Sequence, residues 1–482
     1  MVFSSLIFLL VFLPLTIATY YSLIHFNKGR LAIVSLFLAS LVYYGYWKFQ
    51  NLWIIVASIL VNYFFGKLIA KQETSFKRKF FFVFNIILNL GLLCYFKYTD
   101  FLISTINTVA DTGIPLTKII LPIGISFFTF QQIAYISDIY TKRNLDSHTT
   151  FLDYCLFVCF FPQLVAGPIV HHHEMMPQFA DKDNHRINWN NIYSGIIFLS
   201  FGLAKKVLIA DTLSPLVKYG FDTTSALSFS EATLSSIAYS LQLYFDFSGY
   251  SDMAVGAAFL FNIKLPFNFN SPYQSTSIRD FWRRWHITLS IWLRDYLYIP
   301  LGGSRCTKCR TYINLFITMA LGGLWHGAAW TFVLWGVLHG SALIIQRVWS
   351  GLTENIIWLK KIKLFWWALT FSFVNFAFMI FRAKDFGCIK KFIKAFLTPS
   401  NIDFTDVFIN GVKAATKSDS FNNVLITVGI VFVMAIFFKN SIWLHEHRDK
   451  RVVFILALLS FIASLVVLIF PNNSQEFIYF QF

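Results

Sequence analysis

The stretch TYINLFITMALGGLWHGAAWTFVLWGVLHGSALIIQ, Thr311 to Gln346, contains no Asp, Glu, Lys or Arg. Wound as one α-helix it would be about 50 Å long, against a hydrocarbon core of about 30 Å. A single straight span does not fit, and Gly322-Gly323 is the expected break, with Gly327 just beyond. Broken backbone inside a bilayer is tolerated only where protein or a water-filled cavity surrounds it. His326 lies at that break, flanked by Trp325 and Trp330 and distant in sequence from any charge. An ionisable residue in such a place marks a functional site unless shown otherwise. His339, further along, lacks the glycine context and reads as structural.

The rest of the chain is of the same character. Of 482 residues, 56% are hydrophobic, 19% aromatic and 13% charged, and the mean hydropathy is +0.59. Soluble globular chains carry roughly 25% charged residues, so an ordinary soluble protein is excluded. Apolar runs fall at Val2–His25, Leu31–Trp47, Leu52–Ala70, Phe80–Phe96, Ile119–Ile139 and Ile192–Ala210. Others are Leu234–Ile263, Tyr312–Ile345, Leu364–Phe381, Val424–Phe438 and Val452–Phe470. Each approaches or exceeds the roughly 20 residues that cross a bilayer. The expected fold is an all-α, polytopic membrane protein with about 11 or more transmembrane helices, some broken or re-entrant. The polar insertions His171–Asn191 and Lys384–Asn422 are too short for a further domain, so residues 1–482 read as one integral membrane domain.

The formal charge of +16 is not a nucleic-acid signature, because its basic residues sit between spans: NKGR (27–30), KQETSFKRK (71–79), YTKRN (140–144) and HEHRDKR (445–451). The positive-inside rule puts those loops in the cytoplasm and both termini, including the tail PNNSQEFIYFQF, outside. The first run has no basic n-region and no small-residue cleavage site, so it is expected to stay as a helix. Six scattered cysteines make no disulfide framework. Zinc needs four ligands, and the lone pair Cys306 and Cys309 has no second pair nearby.

A further cluster of charge, set among tryptophans, lies in DFWRRWHITLSIWLRDYLYIPLGG, Asp280 to Gly303. A helix over 280–297 would align Arg279, Arg283, His286, Ser290 and Arg294 in one stripe and Trp282, Trp285, Leu289, Trp292 and Tyr296 in another. Such a helix suits a headgroup boundary of anionic lipid. The arginines Arg283, Arg284 and Arg294 equally suit a phosphate-bearing ligand. Asp246 and Asp252, six residues apart, do not share a helix face and read as partners of arginine or caps of a helix break. The run HHHE, His171 to Glu174, cannot aim three consecutive histidines at one ion from regular structure, and no metal is expected there. Neither a phosphate-cradling P-loop nor a G-x-S-x-G elbow is present.

Together these segments resemble the membrane-bound O-acyltransferases, in the bacterial branch typified by alginate O-acetyltransferase. The likeness is carried by SFFTFQQIAYISDIY (126–140), FFPQLVAGPIV (160–170) and LQLYFDFSGYSDMAVG (241–256). It continues through LPFNFNSPYQSTSIRDFWRRWHITLSIWLRDYLYIPLGGSR (265–305), LGGLWHGAAWTFVLWGVLHG (321–340) and the terminal FIYFQF. One departure is SRCTKCR (304–310), where the family usually carries a glycine-containing basic loop.

The resemblance implies a ring of helices around a central tunnel, with His326 catalytic and His286 the second family histidine on the cytoplasmic approach. It implies O-acetyl transfer from a cytoplasmic thioester, most simply acetyl-CoA, with no bound cofactor, to a cell-envelope or secreted polysaccharide. A periplasmic partner resembling an SGNH-type esterase is implied as intermediate acceptor, and the bacterial inner membrane as the location. Arg283, Arg284, Arg294 and Trp325 are candidates for holding the donor, and the amides of Gly322 and Gly323 for receiving the oxyanion. A neutral, desolvated His326 would act as base, or carry the acyl group briefly. Alternatives are a transporter or flippase of an acyl or lipid-linked substrate, which would be expected to show inverted repeats, and a D-alanyl or lipid acyltransferase of the same superfamily.

Overall fold

The computed structural model describes residues 1–141, 150–353, 356–447, 451–470 and 477–478. Parts of YTKRN and HEHRDKR, and most of the C-terminal tail, lie outside the described residues. Every regular element among the described residues is helical. The helices used below begin with α1 (Phe8–His25), α2 (Gly29–Gly45), α3 (Leu52–Lys71), α4 (Ser75–Leu93), α5 (Ile125–Thr141), α6 (Phe151–Cys159), α7 (His172–Ala180) and α8 (Trp189–Ala204). They continue with α9 (Phe229–Phe259), α10 (Ile278–Arg284), α11 (Ile287–Leu293), α12 (Lys308–His326) and α13 (Trp330–Leu352). The last are α14 (Lys363–Arg382), α15 (Asp406–Thr416), α16 (Phe421–Phe437) and α17 (Arg451–Ile469).

Seven described helices are long and apolar enough to cross a membrane, eight if α15 and α16, bent by 72°, form one broken span. This is fewer than the eleven apolar runs of the sequence, for physical reasons. α2 and α5 have only 17 residues each. α9 has 31 residues, but buries Gln242, Asp246, Ser248, Ser251 and Asp252 within its length.

The chain contacts divide into two compact units. The first comprises Met1–Phe201, Tyr250–Phe267 and 448–458. At its centre α5 is buried at every residue from Ile125 to Ile136, polar ones included. Its Gln132 donates to Ser58 Oγ of α3 at 2.7 Å and accepts from Tyr154 OH of α6 at 2.9 Å. Between α3 and α4, Asn62 and Asn89 exchange amide hydrogen bonds of 3.2 and 2.7 Å. Side-chain amides buried between apolar helices have no water to turn to, so they hold their partners. Phe64, Phe80 and Ile87, by contrast, are exposed, as expected of a surface facing hydrocarbon. Thr150 and Asp153 close a capping box at the start of α6, satisfying amides that the helix cannot.

The second unit comprises Gly202–Gly249, Asn268–His447 and 459–482. Its central feature is the α12–α13 hairpin, and here the structure corrects the expected break. Gly322 and Gly323 lie inside α12, which continues to His326; the chain is extended at Gly327 (φ −160°, ψ 152°) and again at Ala329. The glycines serve packing instead. A Cβ on Gly323 would run into the Phe332 carbonyl and reach Gly336 Cα at 2.9 Å, and one on Gly340 would reach Phe316 Cα at 3.2 Å. Small residues at these positions let two backbones meet.

Two alanine substitutions should therefore act with opposite sign. Gly323→Ala forces a methyl against backbone and is expected to cost about 1–3 kcal/mol. Gly429→Ala in α16, where nothing lies within 4 Å of the new Cβ, should stabilise by up to about 1 kcal/mol through helix propensity. Thermal unfolding of the two purified variants in detergent checks both signs.

Candidate active site

His326 is the last residue of α12, so the turn after it presents its ring to the hairpin interior rather than burying it mid-helix. It is 6% exposed. Four rings enclose it: Trp325 at 5.0 Å, Trp335 at 5.1 Å, Phe381 at 5.3 Å and His286 at 6.3 Å between centroids. The two histidines that lie forty positions apart in sequence thus share one aromatic box, with Trp325 against both.

His286 arrives there by a break the sequence did not announce. The expected helix over 280–297 is two short helices, α10 and α11, separated by extended Trp285 and by His286 in the left-handed region (φ 43°, ψ 54°). That conformation is uncommon for a residue with a side chain and costs of order 1–3 kcal/mol. The neighbouring segment holds it: Ile287 N–H donates to Asn268 O at 3.0 Å, and Asn270 N–H to Arg284 O at 2.9 Å.

Asn268 also sets the imidazole. Its Oδ1 accepts from Thr288 N–H at 3.2 Å and Thr288 Oγ1 at 3.0 Å, which identifies that atom as the oxygen. His286 Nδ1, 3.1 Å away, must then donate. A neutral ring with its proton on Nδ1 leaves Nε2 as the acceptor. The ring is fully buried between helices, outside every spanning segment, and burial pushes its pKa down to about 3. Phe247 closes the far side edge-on at 4.7 Å.

Breaking the helix also breaks the expected basic stripe, which is the second correction. Arg279, Arg283 and Arg294 are exposed, whereas His286 is 0% exposed. Arg294 is gripped by its neighbour Asp295 through bonds of 2.6 and 2.9 Å, and Arg284 by Asp280 at 3.0 Å. The same break divides the other stripe, of which Trp285, Leu289 and Trp292 are buried while Trp282 and Tyr296 are half-buried. Gly322 and Gly323 cannot receive an oxyanion with their amides, which belong to the helical ladder of α12. A different donor stands in the box: Trp335 is 1% exposed, and its indole N–H has no hydrogen-bond partner among the described residues. His339 is a brace, accepting from Trp282 Nε1 at 3.2 Å and packing on Trp335 at 4.7 Å.

Beyond Phe381 and Phe332 lies a cavity of about 380 Å³, lined also by Lys218, Asp222, Gln242, Arg382 and Lys384. Asp222 joins Arg382 at 2.7 Å and Lys384 at 3.2 Å. Asp246 takes a lysine rather than an arginine: Lys206 Nζ is 2.8 Å from both Asp246 and Asp211. Asp246 also accepts from the Ile478 N–H at 2.8 Å. Asp252 is buried in the first unit. Cys306 and Cys309 are free thiols. Asn268, Phe247, Trp335 and Phe381 escaped the sequence reading. Only the asparagines of FNFN (267–270), polar residues alternating with phenylalanine, offered a signal.

A model of the membrane-bound O-acyltransferase family matches residues 124–384, more than half of the chain and including both histidines. The chain is 39% identical over 519 residues to the peptidoglycan O-acetyltransferase of Helicobacter pylori, covering 100% of this chain and 98% of that protein. It is 41% identical over 392 residues to the probable alginate O-acetylase AlgI of Pseudomonas aeruginosa, covering 80% of this chain and 72% of that protein. The teichoic acid D-alanyltransferase of Bacillus subtilis is similar at 29% over 288 residues, covering 55% of this chain and 69% of that protein. With its helical, multi-pass architecture and this breadth of similarity, the chain belongs to the membrane-bound O-acyltransferase family and is an acyltransferase.

Proposed function

We propose that this protein transfers acetyl groups from a cytoplasmic thioester, acetyl-CoA being the simplest, to a polysaccharide of peptidoglycan or alginate type outside the inner membrane. The observation that carries the reading is the shared aromatic box of His326 and His286, 6.3 Å apart and both buried. The 39% identity to a peptidoglycan O-acetyltransferase along the whole chain supports acetyl as the group and an envelope glycan as the destination. A periplasmic carrier of the SGNH-esterase type would receive the acetyl group first. Basic loops in the cytoplasm and both termini in the periplasm follow from the charge distribution.

In this reading His326 takes the proton of the incoming hydroxyl. The oxygen then attacks the thioester carbonyl carbon, the C–S bond breaks, and the departing thiolate takes the proton from the imidazolium. An acyl-histidine would reach the same products in two steps. Trp335 N–H replaces the glycine amides as donor to the developing oxyanion. His286, oriented by Asn268, accepts a hydrogen bond from donor or water through Nε2. Arg283 attracts the anionic donor from the exposed side through long-range charge, while Arg284 and Arg294, neutralised by Asp280 and Asp295, would reach its phosphates only by exchanging those partners. The cavity behind Phe381 serves the acceptor.

Membership of an acyltransferase family displaces the transporter alternative. D-alanyl or lipid transfer within the same superfamily is the remaining competitor, the former supported by the Bacillus subtilis similarity.

Proteoliposomes given labelled acetyl-CoA and the periplasmic partner test this directly. Transfer should occur with the wild type and vanish in His326→Ala at unchanged folding; full transfer by that variant would remove His326 as the base. Labelled D-alanyl carrier protein used in place of acetyl-CoA would identify the competitor. Trp335→Phe should lower kcat about 10²-fold with KM nearly unchanged, the size found for losing one oxyanion donor. Asn268→Ala frees the His286 ring and should cost up to about 10²-fold through misplacement alone, measured in the same assay.

A further inference from the structure

We propose that Asp138, His172 and His173 form a binding site for a divalent transition-metal ion, with zinc the best match. The site belongs to the first unit, whereas the residues assigned to acyl transfer belong to the second, and it does not depend on the proposed function.

The three residues come from two rigid elements. Asp138 sits on the last turn of α5, and His172 and His173 open α7. Each offers one ligand atom, and the three atoms lie within 4.8 Å of one another. His172 Nδ1 and Asp138 Oδ2 are 3.4 Å apart. Ligands about 2.05 Å from a tetrahedral zinc are separated by about 3.4 Å, so one edge of the polyhedron already has the required length. All three separations fall within 4.8 Å, so none exceeds the ideal edge by more than about 1.4 Å, within reach of side-chain rotation.

An Asp138–His172 pair alone does not explain the third group. His173 Nδ1 is buried and has no hydrogen-bond partner among the described residues. A buried polar atom without a partner costs about 1–3 kcal/mol, and a metal ion would satisfy it. The surroundings favour a fixed set of ligands. The Tyr135 ring stands edge-on to His172 at 5.5 Å and the His171 ring stacks on His173 at 5.4 Å. His171 itself is spent on the capping box with Glu174. Two imidazoles and one carboxylate suit zinc and its transition-metal neighbours better than calcium or magnesium, which prefer oxygen. Three protein ligands leave the remaining position to water. An ion here would tie the end of α5 to the start of α7.

The full chain, purified without a histidine tag, stripped with chelator and reloaded with zinc, provides the test. Bound zinc is counted by mass spectrometry, and affinity is read by competition with a chromogenic chelator. One zinc per chain is expected, with a raised unfolding temperature. His173→Phe should weaken zinc binding at least tenfold, whereas His173→Cys, which supplies a thiolate ligand, should retain it. Should His173→Phe fail to fold, the near-isosteric Asp138→Asn carries the same expectation. A wild type that retains no zinc overturns the proposal, as does unchanged affinity in the folded ligand variants, which would locate the ion elsewhere.

Discussion

Because Gly323 and Gly336 lack a Cβ, α12 and α13 approach until backbone atoms occupy the space where side chains would stand. That contact fixes the hairpin, and the hairpin fixes the box. With α12 ending at His326 and α13 starting at Trp330, the imidazole is placed against Trp335, one and a half turns into the second helix. Phe381 arrives at the end of α14 to complete the wall. In a membrane there is little hydrophobic force between apolar helices, so close backbone packing takes over much of the work of association. The site inherits its rigidity from this packing.

The same environment explains how polar groups are treated. Asn62 and Asn89 bind each other, Gln132 binds Ser58 and Tyr154, and Lys206 stands between two carboxylates. Breaking one partner of such a pair strands the other without water, so each pair specifies which helices meet. The Ile478 amide adds a further hydrogen bond to Asp246, a carboxylate that already faces Lys206.

The two histidines of the box are supported differently, and their proposed roles follow from that. His286 is held at backbone and ring: a left-handed conformation pinned by residues 268–270, and Nδ1 bound to Asn268. It is suited to orienting something else. His326 is surrounded by rings that exclude water and lies one aromatic layer from a polar cavity of about 380 Å³. That setting is what the proposed role of His326 as base rests on.

Much of this was legible in order along the chain. Composition and long apolar runs determined a multi-pass helical membrane protein, because a bilayer requires backbone groups to be satisfied within helices. The uncharged stretch around Trp325-His326-Gly327 determined that a break and an isolated histidine would coincide. The assembled motifs determined the family. The location of the break was not legible, since glycines that admit a neighbouring helix look in sequence like glycines that end one. Nor was the split of 280–297 into two helices, because residues 268–270, which stabilise His286 in its left-handed conformation, lie outside any local window. The arginines were misplaced for the same reason: helical spacing predicts a common face only while the helix is unbroken. His326 and His286 as candidates therefore belong to the sequence alone. Their meeting, their ring partners and the gathering of Asp138 with two of three consecutive histidines were decided by tertiary structure, which brings together side chains that no periodicity relates.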